Sequence, residues 1–192
     1  MSESVAARVA AIPRTIALIG LMGAGKTHIG RRLAQALSRP FLDSDLEVEA
    51  ASGRSVRDFF ETLGEAAFRD GERKVISRLL AGPPAVLATG GGAFITPETR
   101  AILLQGALCV WLRADLDLLD ARTRGRTTRP LLLVEDPRAV LSRLMETRYP
   151  IYAQAPVVVD TRDEPSDVTT ARVLAAIDAH RHCATLKGKT SP

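Results

Sequence analysis

The run "GLMGAGKTHIG", Gly20 to Gly30, joins the apolar stretch "TIALI" to "RRLAQAL". Gly20, Gly25, Lys26 and Thr27 fit G-x-x-x-x-G-K-[ST], the spacing of a phosphate-binding loop. "TIALI" predicts a buried strand, because it is short and rich in β-branched and aliphatic side chains. "KTHIGRRLAQAL" predicts a helix, with Ile29, Leu33 and Leu37 recurring every four residues. Strand, glycine loop and helix are the context this motif requires. The glycines let successive backbone N–H groups converge on one anion, and the helix N-terminus adds partial positive charge. Lys26 then reaches the β- and γ-phosphates, and the Thr27 hydroxyl binds Mg²⁺.

Working outward, further strand-like runs appear at "PFLD", "AVLATG", "ALCVWL" and "PVVVD", separated by helical patterns. Strands alternating with helices predict an α/β fold with a parallel sheet covered on both faces. "TRAILLQ" is expected to start a helix after Thr96-Pro97-Glu98. "EDPRAVLSRLMETRYP" is expected to bury Val140, Leu141, Leu144 and Met145 and to end at Pro150. "EPSDVTTARVLAAIDAH" is expected to bury Val168, Ala171, Leu174 and Ala175. Two regions interrupt the alternation. Residues 47–80 read as helices without a strand, and residues 122–133 as an arginine-rich segment of little periodicity. In such a core they suit a substrate-binding insert and a lid.

The 192-residue length predicts one domain over 14–180, between a flexible leader at 1–13 and a flexible tail at 181–192. At 46% hydrophobic and 4% aromatic residues, the core is expected to be large and mostly aliphatic. The net charge of +4 is spread over several helices and one loop, without a basic block or interleaved aromatics. That favours small anionic ligands over nucleic acid. No run reaches transmembrane length, so no membrane partner is expected. Cys109 and Cys183 lack the spacing of a zinc site, and a reducing cytoplasm is the expected compartment.

A phosphate loop names a nucleotide but not the acceptor. "FLDSDLE" puts Asp43 and Asp45 at the end of the second strand, outside whose carboxyl end ligands of open sheets bind. On a strand the two would share a face. One carboxylate can then hold Mg²⁺ through water while the other takes a proton from an attacking hydroxyl. The same residues also suit a helix N-cap, and the two roles are compatible. "EAAFRDGER" places Arg69 and Glu72 three apart on a helix, where they form either an oriented fork for a carboxylate or a surface ion pair. "ATGGGAF" puts Gly90, Gly91 and Gly92 after a strand, where backbone can lie flat against a ligand. In "ARTRGRTTRPLL", Arg122, Arg124, Arg126 and Arg129 offer mobile positive charge, and Pro130 and the leucines anchor Arg129.

Together, "GLMGAGKTHIGRRLA", "LDSDLEVE", "GEAAFRDGE", "LATGGGA", "RPLL" and "RYPIY" resemble, in order and spacing, the shikimate kinase family over about residues 14–180. The resemblance implies a P-loop kinase fold with a five-stranded parallel sheet in order 2-3-1-4-5, a helical insert and a mobile lid. It implies a monomer that transfers the γ-phosphate of ATP to the 3-hydroxyl of shikimate, on the route to chorismate and aromatic amino acids. By resemblance, Gly23, Ala24, Gly25, Lys26, Thr27 and His28 bind the nucleotide, with Arg122 and Arg162 at adenine and Arg129 near the phosphates. Asp45 is the proposed base, and catalysis falls to Asp45, Lys26 and Arg129. Arg69 and Arg148 hold the shikimate carboxylate, and Gly91 and Gly92 line its ring. Thr27 and Asp43, the latter through water, hold Mg²⁺. His28 departs from the family's usual Ser or Thr without an expected loss of activity. Other readings are a gluconate or nucleotide kinase, or an inactive nucleotide-binding module; the pairing of Arg69, Arg148 and three glycines argues against the former, and intact Lys26, Thr27, Asp43 and Asp45 against the latter.

Overall fold

The strand β1 (Thr15–Ile19) buries all five of its side chains, as expected of a run with helices on both faces. In the computed structural model, which describes residues 4–124 and 136–188, β1 is the centre of a five-stranded parallel sheet. The other strands are β2 (Phe41–Asp43), β3 (Val86–Ala88), β4 (Ala107–Arg113) and β5 (Val157–Asp160). Their order is β2-β3-β1-β4-β5, the order implied by the family resemblance. Ile16 pairs with Val86 on one side and Leu108 on the other, which sets the register. The carboxyl ends of β1, β2 and β3 therefore lie together, and the functional loops leave from them.

The helices are α1 (Val5–Ala10), α2 (Lys26–Ala36), α3 (Ser44–Ser52), α4 (Val56–Leu80), α5 (Pro97–Gly106), α6 (Leu116–Thr123), α7 (Pro137–Tyr152) and α8 (Ser166–Gly188). Among the described residues no helix is long and apolar enough to cross a membrane. The main core is aliphatic around β1, with Leu18, Ile19, Leu33 and Leu112 fully buried. Burying each such side chain contributes roughly 1.5–3 kcal/mol. The 47–80 segment is α3 followed by α4. It has its own small core of Val48, Phe68 and Val75, against which Phe59 and Phe60 pack. Gly64, at φ 81° and ψ 170°, breaks α4 into two pieces at a backbone position that side chains rarely adopt.

Four expectations need correction. Asp45 does not lie on β2: the strand ends at Asp43 and α3 begins at once, with Asp43 capping it by accepting from the Asp45 amide at 3.2 Å. Pro150 does not end α7, which continues to Tyr152. A proline so near the end removes one backbone bond, and the hydroxyls of Tyr149 and Tyr152 anchor the last turn to Ala114 and Gly91. The buried stripe of α8 is Thr169, Thr170, Val173 and Ile177, whereas Val168, Ala171 and Ala175 are exposed. Threonine can lie inside because Thr169 donates to Glu164 at 2.7 Å and Thr170 to the Ser166 carbonyl at 2.6 Å.

The fourth correction concerns the leader. Within 1–13, Ser4 caps α1, Val9 is fully buried, and Arg8 grips Asp178 of α8 with contacts of 3.0 and 2.5 Å. Arg39 adds a 2.9 Å bond to the Ala10 carbonyl. The segment is therefore part of the packed domain. Val9→Ala is expected to destabilise the protein by about 1–3 kcal/mol, the usual range for emptying a buried aliphatic site. Chemical denaturation checks this, and an unchanged midpoint would show that α1 adds nothing to stability.

Candidate active site

Everything that the glycine loop does follows from how α2 begins. Its N-cap is Gly25, at φ 95°, with no side chain to satisfy the first-turn amides. First-turn N–H groups and the positive end of a helix suit an anion. Gly20 is held equally tightly: at φ 140°, a Cβ there would stand 2.6 Å from the Leu112 carbonyl oxygen. Lys26 arches over the loop and donates to the Gly20 and Leu21 carbonyls at 2.8 and 3.0 Å. A primary ammonium on those oxygens is already placed above the anion cradle.

A cleft of about 410 Å³ opens over this loop. Gly23, Gly25, Lys26, Thr27 and His28 form its floor, Asp43, Asp45, Thr89 and Gly91 one end, and Arg122 and Thr161 the other. Thr27 donates to Asp43 Oδ2 at 3.0 Å, so a hydroxyl and a carboxylate meet at the mouth of the loop. These are hard oxygen donors suited to Mg²⁺, which keeps several waters and needs only one or two protein oxygens. Among the described residues no cluster of three acidic, histidine or cysteine side chains competes with that site. Ala24 is buried beneath the loop. His28 points across the cleft, with Nε2 3.0 Å from Ser166 Oγ, so its ring bridges α2 to the start of α8.

At the far end Arg122 donates to the Arg162 carbonyl at 2.8 Å. Arg122 thus lines the cleft, while Arg162 contributes backbone and keeps its side chain outside the lining. Glu164, Ser166 and Thr169 complete this wall. None of these three was marked by the loop motif. The signal available was position: they follow β5, whose carboxyl end faces the same crevice. Arg126 and Arg129, and most of the 122–133 lid, lie outside the described residues.

The second cluster adjoins the cleft at Gly91. A Cβ on Gly91 would stand 3.7 Å from the Gly20 carbonyl oxygen and the Met22 amide, and 3.9 Å from Arg148 Nη1. Arg148 donates to the Gly91 carbonyl at 3.3 Å. Arg69 pairs with Glu72 at 2.7 Å and lies over the rings of Phe68 and Phe60, at 5.2 and 5.7 Å. Crowding explains two of the three glycines, Gly90 and Gly92. A Cβ on Gly92 would meet Arg69 Cζ at 2.6 Å, and one on Gly90 would meet Asp45 Oδ1 at 2.5 Å and Glu72 Oε1 at 2.8 Å. Asp45, Glu72 and Arg69 therefore close on one short piece of backbone. Burial pushes the Glu72 carboxyl above its usual range, and the Arg69 guanidinium opposes that shift. Its Oε1 has no hydrogen-bond partner while Oε2 holds Arg69. The arrangement presents two guanidinium groups beside a carboxylate, next to a phosphate cradle. It can bind a small anionic acceptor with its hydroxyl against Asp45.

Comparison with known proteins identifies the family and the fold. The shikimate kinase family model matches residues 22–178. The shikimate kinase of Paramagnetospirillum magneticum is 59% identical over 166 residues, covering 86% of this chain and 85% of its own. The Caulobacter vibrioides shikimate kinase is 55% identical over 164 residues, covering 85% and 82%. The solved structure of Acinetobacter baumannii shikimate kinase in complex with shikimate superposes with a TM-score of 0.83 at 35% identity. It covers 97% of this chain and 99% of that one.

Proposed function

The chain belongs to the shikimate kinase family, and we propose that it carries the γ-phosphate of ATP to the 3-hydroxyl of shikimate across the Gly91 junction. The activity is that of an ATP-dependent phosphotransferase of this family. The observation that carries the residue assignment is the position of Gly91, packed between the phosphate loop and Arg148. A donor phosphate on the loop and an acceptor held by Arg148 would then be neighbours.

In this reading Gly23–His28 and Lys26 hold the triphosphate, and Arg122 covers the base at the Arg162 end. Thr27 and Asp43 would hold Mg²⁺, Asp43 through water, and the ion would supply positive charge to offset that of the phosphates. Arg69 and Arg148 take the shikimate carboxylate, with Gly91 and Gly92 along the ring. Asp45 orients the acceptor hydroxyl and receives its proton as the oxygen bonds to the γ-phosphorus and the bond to the β-γ bridging oxygen breaks. Lys26 stabilises the negative charge that spreads over the transferred group. The proposal includes action in the cytoplasm as a monomer, without nucleic acid or membrane as partner; gel filtration checks the monomer.

The direct test is transfer of labelled γ-phosphate from ATP to shikimate by the purified chain, with gluconate and nucleoside monophosphates as competing acceptors. Transfer to either competitor in preference to shikimate would overturn the acceptor assignment. A variant tests the carboxylate contact separately. Arg148→Ala is expected to raise the shikimate KM by about 10–100-fold, the equivalent of losing a charge-assisted hydrogen bond worth roughly 1.5–3 kcal/mol. The ATP KM should stay close to wild type. A rise confined to the ATP KM would move Arg148 out of the acceptor site.

A further inference from the structure

The aromatic residues of this chain are few, yet several gather behind the acceptor cluster. Tyr152 is fully buried, and its ring lies 5.9 Å from Trp111, 6.3 Å from Tyr149 and 6.4 Å from Phe94 between centroids. Packing alone asks only for a phenylalanine there. A hydroxyl taken into such surroundings is unfavourable unless it is hydrogen-bonded, and this one has a specific target. Tyr152 donates to the Gly91 carbonyl oxygen. That same oxygen accepts from Arg148 Nη1 at 3.3 Å, and Arg148 also interacts with the Tyr152 oxygen. Arg148 and Tyr152 are four apart on α7, hence on one face. Phenol, guanidinium and carbonyl form a closed triangle.

The triangle has a directional consequence. The Gly91–Gly92 peptide is trans, so fixing its carbonyl towards α7 turns the Gly92 amide N–H the opposite way. Gly92 is also the residue against which the Arg69 guanidinium packs. One hydroxyl therefore links the second arginine of the acceptor site to the glycine wall that carries the first. Burial pushes the Tyr152 phenol up to about 12, so it remains a neutral donor through the neutral range.

We propose that Tyr152 is a positioning residue of the acceptor site: its hydroxyl sets the Arg148 guanidinium and the Gly91–Gly92 peptide in a single geometry. It does so without itself touching either substrate. This rests on the assignment of Arg148 to the acceptor carboxylate. Tyr149 supplies an internal control. It lies three residues away on the same helix and in the same aromatic group, but its hydroxyl donates to the Ala114 carbonyl, away from the glycine wall.

The test compares Tyr152→Phe, Tyr149→Phe, Arg148→Ala and the Arg148→Ala/Tyr152→Phe double variant. Each is measured for shikimate KM, ATP KM, kcat and Tm, with shikimate binding followed by calorimetric titration. Tyr152→Phe is expected to raise the shikimate KM and Kd by about 5–20-fold, in line with one buried hydrogen bond, while kcat and ATP KM change less than about twofold. Tyr149→Phe should lower Tm without moving the shikimate KM. The double variant should lose less shikimate affinity than the product of the two single losses, because the two side chains share the Gly91 carbonyl. If Arg148→Ala weakens shikimate binding but Tyr152→Phe does not, the positioning role is wrong and the carboxylate assignment stands. Equal KM effects from the two tyrosine variants would overturn the role in favour of general packing. If Arg148→Ala leaves shikimate binding unchanged, both assignments fall.

Discussion

Lys26→Ala is expected to lower turnover by about 10³-fold or more while leaving the fold intact. Removing one preorganised donor from a developing oxyanion costs roughly 10²–10³-fold in measured cases, and a full positive charge over three phosphoryl oxygens exceeds a neutral donor. Here Nζ is already on the Gly20 and Leu21 carbonyls, so its placement above the loop precedes any ligand. The same bonds raise a competing explanation, that the loop collapses without its lysine. The backbone argues otherwise. Gly20, Gly23 and Gly25 take their loop conformation at φ 140°, 83° and 95°, and Leu21 is fully buried. The loop is thus held by sheet and core as well as by Nζ. Circular dichroism and Tm close to wild type, together with lost transfer, are the expected pair of results. Turnover within a factor of ten of wild type would remove Lys26 from the phosphate site.

What could be read from the sequence follows the range over which each feature is determined. The phosphate loop was legible because glycines, lysine and threonine act within one turn of chain, and the strand before it is a continuous aliphatic run. Arg69 and Glu72 were legible because three residues on a helix make neighbours. Asp45 was misplaced by two residues, since strand and helix meet at Asp43 with no loop between them to mark the border. The face of α8 was misread because Thr169 and Thr170 look polar. Their hydroxyls are satisfied by Glu164 and the Ser166 carbonyl, which leaves their methyl groups free to pack. The role of α1 depends on Arg8 meeting Asp178, 170 residues on, and no local pattern encodes that meeting. Tyr152 was missed for the same reason, because its partner Gly91 lies 61 residues earlier. The triple glycine was noticed but the crowding at its outer two positions was not: Asp45 and Glu72 close on Gly90 and Arg69 on Gly92, arriving from α3 and α4.

The relocation of Asp45 sharpens what its removal should do. As a possible cap it carried two readings; now Asp43 is the cap, and the Asp45 amide is the donor to it. Asp45 instead stands in the first turn of α3, within the cleft, with Oδ1 at the Gly90 backbone. Asp45→Asn keeps the shape and loses the charge and the proton acceptor. If Asp45 served only the helix, the change would remove a favourable carboxylate–dipole interaction worth about 0.3–1 kcal/mol and leave turnover alone. If it takes the proton of the acceptor hydroxyl, kcat should fall by about 10²–10⁴-fold, the usual contribution of a positioned base. ATP binding and Tm should then survive with small changes. Asp43→Asn is the companion measurement. Asparagine caps nearly as well as aspartate, so α3 persists. Loss of charge beside Thr27 should instead weaken the response of activity to Mg²⁺ concentration. Two carboxylates two residues apart should thus fail differently, one in kcat and one in metal dependence. A kcat for Asp45→Asn within a factor of a few of wild type would take Asp45 out of the proton transfer, whatever its place in the cleft.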